Sequence, residues 1–273
     1  MKRKRKFALA VLLIIFAVST WAFNNYCIKV TEKTLLNSKI NESVRLVLVS
    51  DLHGDEFGKN NKILINIIKN QQPDAVLVLG DMYSRYGKYR MDTAVDFMAA
   101  LTAFAPVYFV SGDHDYDEEY FESLESQNVN VLNFEKSNAE INGNSFTFYG
   151  IRSEWFSSTF DLNNAFEPAD ESRINILLAH CPLMEKYESF KNLDFVFSGD
   201  THGGMVRIPL LGPAYYGGSI MPKFTYNGKM YDKGYYNVNG TQLFVTSGVG
   251  NYPLPVRFNN RPEIVSVDLL PYS

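Results

Sequence analysis

Seven side chains able to hold a metal stand at the ends of five apolar runs. Val44–Val49 leads into Asp51 and His53, and Ala75–Leu79 leads into Gly80-Asp81. Val107–Val110 leads into Gly112-Asp113-His114-Asp115, and Ile174–Leu178 into His180. Phe195–Phe197 leads into Gly199-Asp200-Thr201-His202. The chain has four histidines, and all of them lie at these positions. Asp51-x-His53 sets two side chains on one side of an extended segment, where both can face one ion. Asp51, His53, Asp81, Asp113, His180, Asp200 and His202 are too many for one tetrahedral zinc, which takes four ligands. They suit two divalent ions about 3.5–4 Å apart that share a carboxylate. Imidazole and carboxylate without thiolate admit manganese, iron, zinc or magnesium. Each fragment alone is ordinary: Asp often ends strands, Gly203-Gly204 can be a turn, and a lone His180 can be satisfied in a core. The inference rests on their joint placement.

The runs read as strands. Val44–Val49 is apolar apart from Arg45, as in a strand covered on both faces. Helices are predicted over Lys62–Lys69 (capped by Asn60 or Asn61), Asp92–Phe104 and Asp117–Gln127. Strand and helix thus alternate, which predicts right-handed crossovers and a largely parallel sheet. Asn142-Gly143 is a type I′ hairpin signal between Val129–Leu132 and Ser145–Tyr149. After an irregular stretch, Glu154–Arg173, buried strands return at Ile174–Leu178 and Phe195–Phe197. A hairpin at Asn237–Thr241 and strands Gln242–Thr246 and Glu263–Leu269 follow. Two halves of this kind suggest an α/β fold of two packed sheets. Sites in such sheets form outside the carboxyl ends of the strands, where all five motifs stand.

The first residues differ. Lys2, Arg3, Lys4, Arg5 and Lys6 precede Phe7–Phe23, apolar apart from Ser19 and Thr20. Thr20-Trp21-Ala22 followed by Phe23 is a poor cleavage site, so an uncleaved anchor is expected, with a cleaved signal segment as the alternative. The basic end stays in the cytoplasm and the remainder crosses. The expected organisation is an anchor over 1–23, a stalk over 24–43 and one catalytic domain over 44–273. Removing the anchor takes five of the 26 basic residues and none of the 30 acidic ones, leaving 21 against 30, a formal −9. That argues against a nucleic-acid surface. Cys27 and Cys181 form no CxxC, which excludes a zinc knuckle or redox motif, and Cys181 is expected as a small buried apolar residue.

The pattern resembles the calcineurin-like metallophosphoesterases, which run Asp-x-His, Gly-Asp, Gly-Asn-His-Asp/Glu, His, then Gly-His-x-His. Here these stand as Asp51-Leu52-His53, Gly80-Asp81, Gly112-Asp113-His114-Asp115, His180 and Gly199-Asp200-Thr201-His202. The tail, with Ser247-Gly248-Val249-Gly250, Leu254-Pro255-Val256-Arg257-Phe258 and Arg261-Pro262-Glu263, resembles a membrane-associated, bacterial-type branch. The resemblance implies a four-layer sandwich of two mixed β-sheets flanked by helices, and a dinuclear metal site. One metal would take Asp51, His53, Asp81 and His202. The second would take Asp81 as the bridge with Asp113, His180 and Asp200. A hydroxide between the metals attacks phosphorus, His114 protonates the leaving oxygen, and Asp115 orients His114.

Two positions depart from the family: Asp113 replaces Asn, and Asp200 replaces the first His. The four aspartates Asp51, Asp81, Asp113 and Asp200 then balance two divalent ions, and the hydroxide leaves −1. Dianionic monoesters would be repelled more than diesters unless an arginine compensates; Arg152, Arg207 and Arg257 are candidates, with Arg257 taken as substrate-binding. The extra oxygens also favour manganese or magnesium. The tyrosine-rich stretch Leu210–Tyr236 either borders the substrate or packs on itself.

The expected function is therefore a single-pass membrane protein with an extracytoplasmic, metal-dependent phosphoesterase domain and no evident protein partner. The expected substrate is a phosphodiester or pyrophosphate linkage of an envelope lipid, head group or nucleotide sugar. Alternatives are a cytosol-facing lipid-nucleotide pyrophosphatase of the UDP-diacylglucosamine type and a non-catalytic metal-binding envelope protein.

Overall fold

Strands covered on both faces need a layer on each side, and the chain supplies one. The computed structural model describes residues 2–84, 90–115, 117–152, 160–214 and 223–272. The first half runs α1 (Lys2–Tyr26), β1 (Lys29–Asn37), β2 (Val44–Val49), α2 (Lys62–Asn70), β3 (Ala75–Val78), α3 (Met91–Thr102), β4 (Val107–Phe109), α4 (Glu118–Ser126) and β5 (Val129–Val131). Next come β6 (Glu135–Ile141), β7 (Asn144–Ile151), α5 (Leu162–Ala165), β8 (Ile174–Ala179), α6 (Met184–Tyr187) and β9 (Phe195–Ser198). Two small hairpins follow, β10 (Arg207–Ile208) with β11 (Gly212–Pro213), and β12 (Thr225–Tyr226) with β13 (Lys229–Met230). The chain returns through β14 (Gly234–Val238), β15 (Thr241–Val245) and β16 (Glu263–Pro271).

The strands form two six-stranded mixed sheets, ordered β1-β16-β2-β3-β4-β5 and β14-β15-β9-β8-β7-β6. β2 to β5 run parallel, as do β7, β8, β9 and β15. The sheets face each other across one core, where Leu46, Leu48 and Leu77 meet Phe146, Ile176 and Phe197. Tyr108 stacks on Phe148 at 4.2 Å between ring centroids, a contact worth about 0.5–1.5 kcal/mol beyond its burial. Helices α2, α3 and α4 cover the outer face of the first sheet through Leu64, Phe97 and Leu124. Leu162 and Met184 of α5 and α6 cover the second. The expected four-layer arrangement is therefore present.

Three local expectations are corrected. Segment 24–43 is no stalk, because Lys29–Asn37 pairs in parallel with β16, from Lys29 against Glu263 to Asn37 against Pro271. Val129–Leu132 does not partner Ser145–Tyr149: β5 joins the first sheet beside β4, and the hairpin partner of β7 is β6. Asn142 and Gly143 do form the I′ turn, with φ of 49° and 73°. The Asn61 side chain makes no helix cap; it accepts the Phe57 N–H at 2.9 Å.

The last turns of α1 are bound to the domain. Trp21 Nε1 donates to the Pro255 carbonyl at 2.7 Å. Asn24 Oδ1 accepts the Asn259 N–H and Asn25 Oδ1 accepts the Arg257 N–H, both at 2.8 Å. The remainder of α1 is long and apolar enough to cross a membrane and is almost wholly exposed.

Candidate metal centre and active site

The loops after β2, β3, β4, β8 and β9 bring all seven predicted ligands together at the carboxyl ends of the strands. Four groups form there: Asp51 with His53 and His202; His53 with Asp81 and His114; Asp51 with Asp81 and His180; and Asp113 with His180 and Asp200. Left-handed backbone aims many of them. Asp51, His53, Asp81, Asp200 and His202 have φ of 57°, 50°, 57°, 66° and 46°. L-residues adopt this region at a cost, and such conformations gather at functional sites. Two glycines let the loops close: a Cβ on Gly112 would collide with the Asp81 carboxylate, and one on Gly199 with Ser50 Oγ.

Asp81 lies between the two halves of the site. Its Oδ2 is 3.5 Å from His53 Nε2 and 3.3 Å from His180 Nε2. On one side, His53 Nε2 is 3.2 Å from His202 Nε2, which is 3.5 Å from Asp51 Oδ1. On the other, His180 Nε2 is 3.5 Å from Asp113 Oδ1 and 3.8 Å from Asp200 Oδ1. His180 Nδ1 lies 2.7 Å from the Leu79 carbonyl and so carries a proton toward it, fixing the ring. Asp51 Oδ2, Asp113 Oδ1 and His180 Nε2 are buried without a hydrogen-bond partner. Buried carboxylate oxygens turned inward on one another need a positive charge among them, from a bound cation or, without one, from protonated His180. The donor set therefore fits divalent cations.

The electrostatics have the same cause. Burial pushes the Asp51 carboxyl up to about 6 and raises Asp200 well above the ordinary carboxylate range. Burial holds the His53 imidazole down to about 3 and His202 well below its usual value. For Asp81, burial opposes ionisation, but His180 and His53 outweigh it and hold its proton affinity low. For His180, burial works downward, and the carboxylates of Asp81, Asp200 and Asp51 overcome it and hold a proton on the ring.

His114 stands at the edge of this cluster. Its backbone N–H donates to Asp81 Oδ1 at 2.9 Å, and its Nδ1 lies 3.4 Å from Ser84 Oγ. Its ring meets His53 edge-on at 5.0 Å and Tyr252 at 4.7 Å. Tyr252 also stacks on His53 at 4.3 Å and 18°. Neither Tyr252 nor Ser84 carries a motif signal; the Ser247–Gly250 and Leu254–Phe258 motifs only bracket Tyr252.

The profile of the calcineurin-like phosphoesterase family matches residues 44–204, more than half of the chain and five of the strand-end motifs. The chain belongs to that family. A transmembrane protein with a metallophosphoesterase domain from Bos taurus is 27% identical over 83% of this chain and 53% of its own length. The phosphodiesterase YaeI of Escherichia coli K12 is 24% identical over 98% of this chain and 99% of its own. The chain thus spans about half the length of the bovine relative. The crystal structure of TT1561 from Thermus thermophilus superposes with a TM-score of 0.51 at 11% identity, over 75% of this chain and 89% of that one, a likeness of fold.

As a calcineurin-like phosphoesterase, the chain revises several expected roles. Asp115 does not spend its carboxylate on His114: its oxygens accept the Met82 N–H at 2.7 Å and the Gly112 N–H at 2.6 Å. It ties the loop after β3 to the loop after β4. Arg257, expected to bind substrate, is instead held inside the domain by backbone carbonyls. It is 2% exposed, and its guanidinium donates to the carbonyls of Gly250, Ser247, Gly248 and Asn260. Arg207 is engaged by Asp232 and the Gly203 carbonyl, and Arg152 lies over the Phe134 ring at 5.5 Å. Of the tyrosines, Tyr231 is buried in the core behind the second sheet, Tyr226 bonds Glu188, and Tyr236 bonds Asp232. Tyr215 and Tyr216 lie outside the described residues. Cys181 is buried, Cys27 is exposed, and neither is in a disulfide.

Proposed function

We propose that the chain is a membrane-anchored phosphoesterase with a dinuclear metal site that prefers phosphodiester or pyrophosphate linkages. The observation that carries this reading is the Asp81 carboxylate, within 3.5 Å of the imidazoles on both sides of it. Asp51, His53, Asp81 and His202 would hold one ion; Asp81, Asp113, His180 and Asp200 would hold the other, with manganese the best match to the oxygen-rich second set. When bound, such ions supply the charge that activates water and stabilises phosphoryl oxygens. His114, at the edge of the cluster, moves a proton to the leaving oxygen. Asp115 acts on it through the backbone of Gly112, by fixing the loop that carries it. With aspartates at 113 and 200 added to Asp51 and Asp81, four carboxylates offset the charge of both ions, which disfavours a dianionic monoester. Among the described residues one helix, α1, is long and apolar enough to cross a membrane, and with the transmembrane bovine relative it supports a single-pass protein of the cell membrane. The basic residues before Phe7 favour an extracytoplasmic domain, so an envelope lipid, head group or nucleotide sugar is the proposed substrate class. Because β1 belongs to the first sheet, the catalytic unit is taken to begin at Lys29 rather than Val44.

The test is hydrolysis of bis(p-nitrophenyl) phosphate by the full chain in detergent, stripped of metal and titrated with manganese. A rate that requires metal and keeps rising beyond one equivalent supports the reading. No turnover with manganese, zinc, iron or magnesium overturns it in favour of a metal-binding protein without catalysis.

A further inference from the structure

Outside α1, large exposed apolar side chains are few among the described residues, and they are not scattered. Six of the ten are Ile208, Leu210, Leu211, Leu254, Val256 and Phe258, with Leu211 80% and Phe258 51% exposed. They occupy two loops joined to each other: the Arg207 N–H donates to the Phe258 carbonyl at 2.9 Å, and the Phe258 N–H donates to the Met205 carbonyl at 3.2 Å. The second loop is also fixed to the end of α1 through Trp21–Pro255 and Asn25–Arg257. An apolar patch continuous with a membrane helix has an obvious medium.

Two further features set the depth of that helix. Trp21 and Tyr26 meet edge-on at 5.4 Å, and Arg261 lies over the Phe23 ring at 4.4 Å. Trp and Tyr mark the membrane–water interface, and a basic head beside them reaches water or head groups. The apolar stretch Phe7–Phe23, at ~1.5 Å per residue, spans about 25 Å, less than a hydrocarbon core of ~30 Å. A short span draws its flanks toward the bilayer. No spacer relieves this pull, because Asn24 and Asn25 already bond the domain.

We propose that the domain seats directly on the phospholipid bilayer, inserting the Ile208–Leu211 and Leu254–Phe258 loops beside α1. The same segment that carries the second loop carries Tyr252, stacked on His53, so one wall of the metal centre rises from the seat. That arrangement suits a phosphate at head-group depth, a step that rests on the proposed activity; the seat itself does not.

The test uses the full chain in phospholipid nanodiscs, with Leu211→Trp, Phe258→Trp and, as a control at the far end of β16, Tyr272→Trp. Emission is compared between ordinary lipids and lipids brominated on the acyl chain, and the signal of Trp21 and Trp155 is subtracted with the parent protein. The expected result is at least twofold quenching of the added signal at positions 211 and 258, with position 272 unchanged. Quenching at 211 and 258 no greater than at 272 overturns the seat. So does unquenched, blue-shifted emission, which would mean that protein, such as a second copy of the chain, covers the patch. Quenching in a protein that fails to cleave bis(p-nitrophenyl) phosphate would uphold the seat and reject the phosphoesterase reading.

Discussion

His180 holds the Leu79 carbonyl at 2.7 Å through Nδ1, and this one bond turns its Nε2 onto Asp81, Asp113 and Asp200. A ring free to flip would offer either nitrogen. Tied to the end of β3, it offers only the one that faces the carboxylates.

Asp81 is the side chain shared by both halves of the site, so its loss should reach both. Asp81→Asn is expected to bind less than one equivalent of manganese and to lose at least ~100-fold in hydrolysis, beyond what an outer-shell partner costs. Asp113→Ala, on one side only, should keep about one equivalent. Equilibrium dialysis with metal analysis separates the two outcomes.

His114→Ala should lose ~100-fold or more on a diester with an alkyl leaving group, the ordinary worth of a general acid. With p-nitrophenolate, which leaves without a proton, the loss should shrink to a few-fold. Equal losses on both substrates would move His114 from proton transfer to positioning.

Metal affinity should fall as the medium becomes acidic. Metal-free Asp51 holds its proton up to about 6, and burial raises Asp200 well above the ordinary carboxylate range. The neighbouring carboxylates keep His180 protonated as well. All three must release protons on binding, so affinity weakens as pH drops, and Asp51 contributes to that loss through about 6. Calorimetric titrations in buffers of different ionisation enthalpy would show proton uptake by the buffer at pH 6.

Asp200→His removes one negative charge from the site and is expected to raise the monoester-to-diester rate ratio about tenfold, equivalent to ~1.4 kcal/mol. Parallel assays on p-nitrophenyl phosphate and bis(p-nitrophenyl) phosphate give the ratio. A parent enzyme already faster on the monoester would refute the charge argument.

Arg257→Met should act on stability rather than on KM. The change strands the buried carbonyls of Gly250, Ser247 and Gly248, and a loss of ~2–4 kcal/mol is expected. Denaturant titration at fixed metal reads it. A raised KM with unchanged stability would restore Arg257 as a substrate ligand.

The clustering of the candidate ligands was legible in sequence because residue type and strand-end position are local properties. The same holds for the alternating helices and the Asn142-Gly143 turn. β1 was not legible, because its register against β16 joins segments more than two hundred residues apart. β6 was hidden by its composition: Glu135, Lys136, Ser137 and Asn138 form a polar edge strand, where charge guards against stray pairing. Arg257 misled because its partners are backbone carbonyls, which have no sequence signature. Tyr252 escaped because an aromatic ring beside two imidazoles is created by the fold alone.

The left-handed backbone at five of the seven candidate ligand positions also restricts what the site can become. A residue at φ 66° must be one that tolerates that region, and short polar side chains do so best while β-branched ones do not. Position 200 therefore has a small alphabet, in which aspartate and histidine both stand. Exchange between them alters charge and donor atom but leaves the turn intact. The path of the main chain thus filters which variants of this centre can arise, and the permitted ones retune its chemistry without rebuilding the loop.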